Sequence, residues 1–246
     1  MAISTFARKE IKFLLSKDQH DALLPIILEH MHPDEYCKDG KEYGIYNIYF
    51  DTADDYLIRT SLAKPYFKEK LRLRSYYSPA LPENGVFLEI KRKIGGIVTK
   101  RRVHMTLEQA QVYLETGQRP PSRKYIYDQV FDELDVFLAH YHVEPKQYVS
   151  YQREAFFGKN DPDFRLTFDR HLIERRYDLS LAKSSYGNHI IDEDMRIMEV
   201  KIHNAIPLWL IRELSALKIY KTSISKYGKA YENYVKSNIE GEAKYG

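Results

Sequence analysis

Arginine and lysine side chains recur at alternate positions along several stretches of this 246-residue sequence. Arg72 and Arg74 are two residues apart, as are Lys91 and Lys93. Side chains two residues apart point to the same face of a β-strand, so each pair would place two cations on one surface. Arginine forks bind phosphate oxygens through paired hydrogen bonds, and lysine acts as a point charge. The spacing therefore predicts strand faces suited to a polyanion.

This pattern of cations extends over most of the chain. Its members are Arg8, Lys12, Lys70, Arg72, Arg74, Lys91, Lys93, Lys100, Arg102, Arg153, Arg165 and Lys201. Isolated glutamates interrupt it at Glu10, Glu89 and Glu199. An ordinary solvated face explains the charges of any single strand, whereas their recurrence favours one channel that holds a polyanion. The glutamates could recruit Mg²⁺ or Mn²⁺ to bridge phosphate oxygens, although Glu89 could instead be a strut that holds Lys91.

The segments that carry these residues alternate in polarity with period two, which is typical of strands. Eight strands are predicted, at residues 8–15, 44–51, 68–76, 86–93, 97–105, 147–157, 164–171 and 195–203. Capping-box pairs, Ser16 with Gln19 and Thr106 with Gln109, predict two helix starts. Further helices are predicted at 125–141, from Pro207 onward and at 225–235. Because strands dominate, we expect the α+β class, with an eight-stranded antiparallel β-barrel and flanking helices.

The composition, net charge and lengths of the apolar runs exclude several classes of protein. Lys and Arg number 38 against 35 Asp and Glu, so the formal net charge is only +3. The one cysteine, Cys37, excludes a disulfide framework or a cysteine-based zinc site within the chain. No apolar run approaches the roughly 20 residues of a membrane helix. We expect a single domain over residues 1–246, a cytoplasmic location and no nucleic-acid partner, since the cations alternate on strands rather than lining a helix or stacking platform.

Nine short blocks occur in an order that resembles VTC-type polyphosphate polymerase domains. These domains belong to the triphosphate tunnel metalloenzymes, with the CYTH proteins as relatives. The blocks are RKEIK at 8–12, YFDT at 49–52, LRLR at 71–74, LEIK at 88–91, KRR at 100–102, YQREAF at 151–156, FRLTFD at 164–169, MEVK at 198–201 and SKY at 225–227. No single block is specific, but nine blocks in this order are jointly strong, and the resemblance runs from about residue 6 to about residue 235.

The resemblance implies an eight-stranded tunnel that binds triphosphate or polyphosphate with Mn²⁺ or Mg²⁺. Catalytic roles would fall to Lys226, Arg72, Arg74 and Lys91. Substrate binding would fall to Arg8, Lys12, Lys70, Lys93, Lys100, Arg102, Arg153, Arg165, Lys201 and Ser225. Glu199 would bind the metal; Glu10 is either a second ligand or an ion-pair partner of Arg8 or Lys12. Ser225 is also explained as a plain helix N-cap, and both roles are compatible.

The resemblance leaves three functions open. The first is a polymerase that transfers the γ-phosphate of ATP onto polyphosphate, which needs no general base because the attacking phosphate is already ionised. The second is a CYTH-like triphosphatase. It is disfavoured because Arg8 stands where those enzymes have the first glutamate of Glu-x-Glu-x-Lys. The third is a polyanion-binding module without turnover.

Two departures from the polymerase pattern bear on the site and on partners. Ser223 stands where the polymerases tend to have a lysine, although Lys221 is close by, which weakens one terminal phosphate contact. The related eukaryotic polymerases also carry regulatory and membrane modules. This sequence shows neither, so coupling of synthesis to export would require a membrane-protein partner besides the substrates ATP and polyphosphate.

Overall fold

The computed structural model of this chain describes residues 9–121, 125–203 and 205–245, with side chains up to residue 239. It divides into two compact units, each made of several chain segments. The first unit comprises Met1–Gly44, Tyr151–Leu172 and Ile191–Ser225, and the second Ile45–Ser150, Ile173–Ile190 and Lys226–Gly246. Each unit contains its own hydrophobic cluster. The extent of a single domain over 1–246 stays a prediction, and Arg8 lies outside the described residues.

The described residues form eleven strands and six α-helices. The strands are β1 Lys9–Ser16, β2 Met31–Pro33, β3 Tyr43–Thr52, β4 Phe67–Ser75, β5 Gly85–Ile94, β6 Ile97–Thr106, β7 Val143–Gly158, β8 Arg165–Arg175, β9 Asn188–His189, β10 Met195–Ile202 and β11 Lys221–Thr222. The helices are α1 Lys17–His30, α2 Tyr56–Leu62, α3 Leu107–Thr116, α4 Tyr125–His140, α5 Leu208–Ala216 and α6 Lys226–Tyr245. A 3₁₀ segment covers Glu35–Gly40.

The α+β class with antiparallel strands and flanking helices is confirmed. Strands of the first unit pair in the order β11-β1-β10-β8-β7, and those of the second in the order β7-β3-β4-β5-β6. The eight long strands lie where eight were predicted, and the three strands of two or three residues were not predicted. The pairings of the described residues leave β11 and β6 as edge strands, whereas the predicted eight-stranded barrel would be closed.

In the second unit, β4, β5 and β6 are sorted into an apolar and a polar face by the alternation of the sequence. Leu71, Leu88 and Val103 are fully buried in the core, while the intervening residues point to the other face. Gly95 and Gly96 join β5 to β6 with positive φ at both positions, 54° and 93°. This conformation suits a two-residue hairpin turn, which favours glycine. The hairpin therefore fixes which cations lie opposite each other.

In the first unit, β1 leads directly into α1 through the predicted capping box. The Ser16 hydroxyl accepts from the Gln19 backbone N–H, and the Gln19 side chain accepts from the Ser16 N–H. The Gln19 amide also donates to the carbonyl of Leu217 at 2.8 Å, which links α1 to the end of α5. Phe13 and Leu15 are buried on the core side of β1. The alternate positions Glu10 and Lys12 consequently point to the polar face.

No helix within the described part of the chain combines the length and apolar character needed to cross a membrane.

Candidate functional site

The polar face of β4, β5 and β6 carries cations in successive rows. Each row contains one residue from each strand, placed directly opposite its neighbours. The rows are Arg72, Glu89 and Arg102; Lys70, Lys91 and Lys100; and Lys68, Lys93 and Val98. Successive rows are separated by roughly 6.7 Å, the rise of two strand residues. The hairpin register thus converts the sequence alternation into a cationic surface.

Glu89 is the centre of this surface, and its side chain is 1% exposed. Its Oε2 accepts a hydrogen bond of 2.6 Å from Arg72 Nε and lies 3.9 Å from Arg74 Nε. Its Oε1 lies 3.6 Å from Lys100 Nζ and 3.8 Å from a terminal nitrogen of Arg102. Four cations therefore surround one carboxylate within 4 Å. We call these five residues the Glu89 cluster.

The titration behaviour of the Glu89 cluster reflects its excess of positive charge. Burial raises the pKa of Glu89, but Arg72, Arg74 and Lys100 outweigh this effect and lower that pKa to about 2. Burial lowers the pKa of Lys100 to about 8, with Arg102, Arg72 and Arg74 acting in the same direction against Glu89. The cluster contains four cations and one carboxylate, a ratio that favours an anionic ligand.

The guanidinium groups of half-buried Arg72 and buried Arg74 are positioned by polar side chains of β3. Arg74 Nε donates to the Asn47 carbonyl oxygen at 3.0 Å, and the Asn47 amide donates to the Val149 carbonyl at 3.0 Å. Arg72 also lies 3.4 Å from the Tyr49 hydroxyl, to which it donates. These bonds hold both guanidinium groups in fixed positions, which is the preorganisation that charge stabilisation requires.

Lys226 directly precedes Tyr227, whose ring contacts that of Tyr49. The two rings stack with centroids 4.4 Å apart. Burial raises the pKa of Tyr49, but Arg72, Arg74 and Lys226 lower it overall. This influence places the buried Lys226 near the Tyr49 hydroxyl, to which Arg72 also donates. Lys70 Nζ lies 5.4 Å from the centroid of the Tyr227 ring.

Asp51 anchors the start of α6 on the end of β3. Its carboxylate accepts from the backbone N–H groups of Leu57 and Ile58 at 2.8 and 2.9 Å, and from the Tyr227 hydroxyl at 2.8 Å. Burial and the neighbouring Asp51 raise the pKa of Tyr227, so the phenol remains a hydrogen-bond donor. Asp51 thus caps α2 and fixes the residue next to Lys226.

The first unit contains a second set of charged side chains, on the polar faces of β1, β10, β8 and β7. Lys12 Nζ lies 3.3 Å from Glu199 and 3.3 Å from Glu10. Lys12 is directly opposite Glu199, and Glu10 is directly opposite Lys201. We define the Glu199 cluster by the residues Glu10, Lys12, Arg153, Arg165, Asp169, Glu199 and Lys201.

Charges in the Glu199 cluster are more evenly balanced than in the Glu89 cluster. Arg153 donates to both carboxylate oxygens of Asp169, at 2.6 and 2.8 Å, and lies 4.0 Å from Glu199. Burial lowers the pKa of Lys201, against the attraction of Glu199 and Glu10. Arg165 packs over the ring of Phe157 at 4.3 Å. Four cations and three carboxylates make this cluster suited to cations and anions together.

The predicted metal ligands Glu10 and Glu199 lie on one face and contact the same lysine. Mg²⁺ is commonly bound by one or two protein carboxylates together with substrate phosphates and water. The two residues therefore fit the protein share of such a site. Among the described residues no group of three or more His, Cys, Asp and Glu side chains is placed to bind a metal.

Comparison with known proteins decides the family. The family model of the VTC domain matches residues 7–235. This chain belongs to the VTC domain family. The match covers both units and every block from which the resemblance was drawn, so the predicted family is confirmed. No curated protein matches the chain.

Solved structures resemble this VTC domain in fold. A candidate adenylate cyclase from Bacillus halodurans is 17% identical, with a TM-score of 0.54, over 89% of this chain and 95% of that one. A candidate adenylyl cyclase from Hippeastrum, described as having a dominant triphosphatase activity, is 15% identical, with a TM-score of 0.49, over 91% of this chain and 95% of that one. The first of these shows a fold shared with this chain.

Most site residues predicted for this VTC domain fall into one of the two clusters or beside them. Arg72, Arg74, Lys100 and Arg102 contact Glu89, and Lys70 and Lys91 form the next row. Lys93 is exposed one row farther on, and Ser225 immediately precedes α6. That both clusters line one channel stays a prediction.

Sequence reasoning missed the supporting residues Asn47, Tyr49, Tyr227 and the pairing of Asp169 with Arg153. Asp51 and Asp169 are both fully buried hydrogen-bond acceptors, and each fixes a predicted site element. An aspartate that directly follows apolar strand residues, as in YFD or TFD, could have indicated such a role. A carboxylate buried there must be paired or hydrogen-bonded, since unpaired buried charges are rare.

Proposed function

We propose that this VTC domain is a polyphosphate polymerase that transfers the γ-phosphate of ATP to the terminal phosphate of a growing polyphosphate chain. The observation that carries this proposal is the Glu89 cluster, in which four cations lie within 4 Å of one buried carboxylate. Such a surface compensates the charge of several phosphate oxygens at once. Membership of the VTC domain family supports the same conclusion.

The reaction is a phosphoryl transfer between two phosphates. A terminal oxygen of the chain forms a bond to the γ-phosphorus as the bond to the β,γ-bridging oxygen breaks, so ADP leaves and the chain grows by one phosphate. The attacking oxygen is already ionised, and no proton has to be removed from it. Arg72, Arg74, Lys91 and Lys226 align the reacting groups and neutralise the charge that accumulates between them.

The remaining cations bind the phosphates that do not react. This set comprises Arg8, Lys12, Lys70, Lys93, Lys100, Arg102, Arg153, Arg165, Lys201 and Ser225, of which Arg8 lies outside the described residues. Glu199 and Glu10 would hold Mn²⁺ or Mg²⁺. The metal, when bound, neutralises phosphate oxygens. Lys12 contacts both carboxylates in the ligand-free protein and so keeps them charge-compensated and on one face.

A triphosphatase is the second candidate function. The observation that favours it is the pair Glu10 and Glu199, because two carboxylates on one face suit metal-assisted hydrolysis better than a purely cationic surface. Under this alternative the products from ATP are ADP and free phosphate. A binding module without turnover would release neither polymer nor phosphate.

One assay distinguishes these functions. The protein is incubated with ATP and Mn²⁺ or Mg²⁺, and the products are separated by gel electrophoresis and assayed for free phosphate. We expect long phosphate chains in wild type and at least a tenfold loss in Arg102→Ala. Arg101→Ala is the matched control, since Arg101 lies on the opposite face of β6 and pairs with Glu133 at 3.2 Å. Free phosphate without chains would support hydrolysis instead.

A further inference from the structure

An exposed apolar row lies at the end of the β4–β5–β6 sheet. Phe67, Ile94 and Ile97 are directly opposed on the three strands and are 42%, 45% and 56% exposed. Tyr66, the residue before β4, is 77% exposed and accepts a backbone hydrogen bond of 2.9 Å from Gly95 in the hairpin turn. We call these four residues the apolar tip.

The apolar tip is separated from the core by a row of charges. The next row on the same face contains Glu69 directly opposite Arg92. Arg92 donates to Glu69 at 2.9 Å and also contacts Glu133. The next pair on this face, Leu71 and Ile90, is the first that is buried in the core. The tip is therefore a surface patch of its own, and its acidic neighbours are paired with a cation.

Lysines lie on the reverse side of the apolar tip. Lys68 is directly opposite Lys93, and its ammonium donates to the Ser61 carbonyl at 2.9 Å. Partial burial, then the charges of Lys93, Lys64 and Lys91, lower the pKa of Lys68. Lys64 and Lys93 are exposed. Positive charge is thus concentrated within one or two residues of the exposed aromatic and aliphatic side chains.

We propose that the apolar tip, with Lys64 and Lys68, docks the second unit onto a bilayer that contains anionic phospholipid. Exposed apolar side chains insert among the acyl chains, aromatic rings favour the headgroup level, and lysines attract the anionic lipid surface. The apolar tip and the neighbouring lysines together provide aliphatic, aromatic and cationic side chains at one end of the hairpin. This surface is additional to the proposed phosphate-transfer site, because none of the tip residues belongs to either cluster.

The size of the tip favours a lipid surface over a protein partner. Stable protein interfaces use about 20–30 residues on each side, whereas the tip has four apolar side chains. Membrane contact has no such minimum, because binding grows with each inserted side chain and each nearby cation. The lysines on the reverse side of the tip match an anionic surface in charge.

The test measures co-sedimentation of the full chain with vesicles of phosphatidylcholine alone or mixed with phosphatidylglycerol. We expect binding to the mixed vesicles, a loss of more than tenfold in Phe67→Ser/Ile97→Ser, and a loss of about fivefold for each of Lys64→Gln and Lys68→Gln. Val136→Ser, which changes an exposed side chain of α4, should bind as wild type does. The transfer assay without vesicles should be unchanged in Phe67→Ser/Ile97→Ser, Lys64→Gln and Val136→Ser, none of which changes a residue of the cationic surface.

A second readout keeps the proposal testable if a variant folds poorly. Ile97→Trp should show blue-shifted fluorescence on mixed vesicles, and Val136→Trp should not. Equal binding to both vesicle types, or tip variants that bind as wild type, would overturn the proposal. A dimer in solution that Ile97→Ser dissociates would instead identify a second copy as the occupant. Because the transfer assay is scored separately, failure of the docking proposal leaves the proposed activity intact.

Discussion

Arg72 donates a 2.6 Å hydrogen bond to Glu89 from the neighbouring strand, and the two residues are directly opposed in the register of β4 and β5. This pair fixes the guanidinium, while Arg74, Lys100 and Arg102 approach the same carboxylate. Glu89 thus partly compensates a cationic surface that repels itself. Under the proposed function, a phosphate ligand would add negative charge to the same surface.

Removal of the Glu89 charge should destabilise the ligand-free protein, and a polyanion should reverse the effect. We expect Glu89→Gln to cost about 3 kcal/mol, because it leaves four cations without their buried carboxylate. Tripolyphosphate should raise the Tm of the variant more than that of wild type. Thermal unfolding with and without tripolyphosphate measures both quantities. Glu133→Gln is the control on the opposite face, and an equal ligand-induced shift in both variants would contradict the role of Glu89.

Glu89 should also contribute to acid unfolding. Its pKa is lowered from 4.5 to about 2 in the folded protein. The stabilisation is therefore complete above pH 4.5 and is lost as the pH falls toward 2. We expect the stability of Glu89→Gln to depend less on pH within that window than the stability of wild type. Denaturant titrations at a series of pH values measure the difference, and parallel profiles would rule out this contribution.

The strand faces were predictable because the period of two follows from backbone geometry and does not depend on tertiary contacts. Arg72, Arg74, Lys91 and Lys100 could thus be assigned to one kind of surface before the register was known. Helix starts at Ser16 and Thr106 were predictable for a similar reason, since a capping box is local.

Interactions between distant segments were not predictable from the sequence. The Asp51 carboxylate is bonded to Tyr227, 176 residues later, and this pairing depends on where α6 begins to pack. Helix α2 was missed because its N-cap Asp55 has a left-handed φ of 60° and makes no side-chain capping bond. The Arg153–Asp169 pair depends on the placement of two strands, which alternation alone does not specify.

Binding of phosphate should weaken above about pH 8. The pKa of Lys100 is lowered to about 8 by burial and by its neighbouring guanidinium groups, so its charge is present below that pH and lost above it. We expect affinity for tripolyphosphate to fall about tenfold as this contact loses its charge. Lys100→Arg keeps its charge and should show a flatter profile. Calorimetry measures the affinity of both proteins at each pH, so protonation of the ligand affects both equally. Coincident pH profiles of affinity would contradict the assignment to Lys100.

Loss of the Tyr227 hydroxyl should impair activity through Lys226. Tyr227→Phe keeps the ring stacked on Tyr49 but removes the bond to Asp51. We expect a loss of stability of about 1–2 kcal/mol and a lower kcat for chain synthesis. Tyr186→Phe, which removes a bond to Asp178 outside the cluster, is the matched control. Equal kcat in wild type and Tyr227→Phe would show that the bond has no role in positioning Lys226.

Glu199 and Glu10 should set the requirement for a divalent metal, with Glu199 the stronger ligand because it is the more buried of the two. We expect Glu199→Gln to raise the Mn²⁺ concentration for half-maximal activity at least tenfold, and Glu10→Gln to raise it less. Binding of Mn²⁺ in the presence of a nucleotide, followed by electron paramagnetic resonance, reports the same order without turnover. Asp163→Asn, an exposed residue paired with His203, serves as the control. Should Glu199→Gln bind Mn²⁺ as wild type does, the metal is held elsewhere, and Glu199 serves only as the ion-pair partner of Lys12.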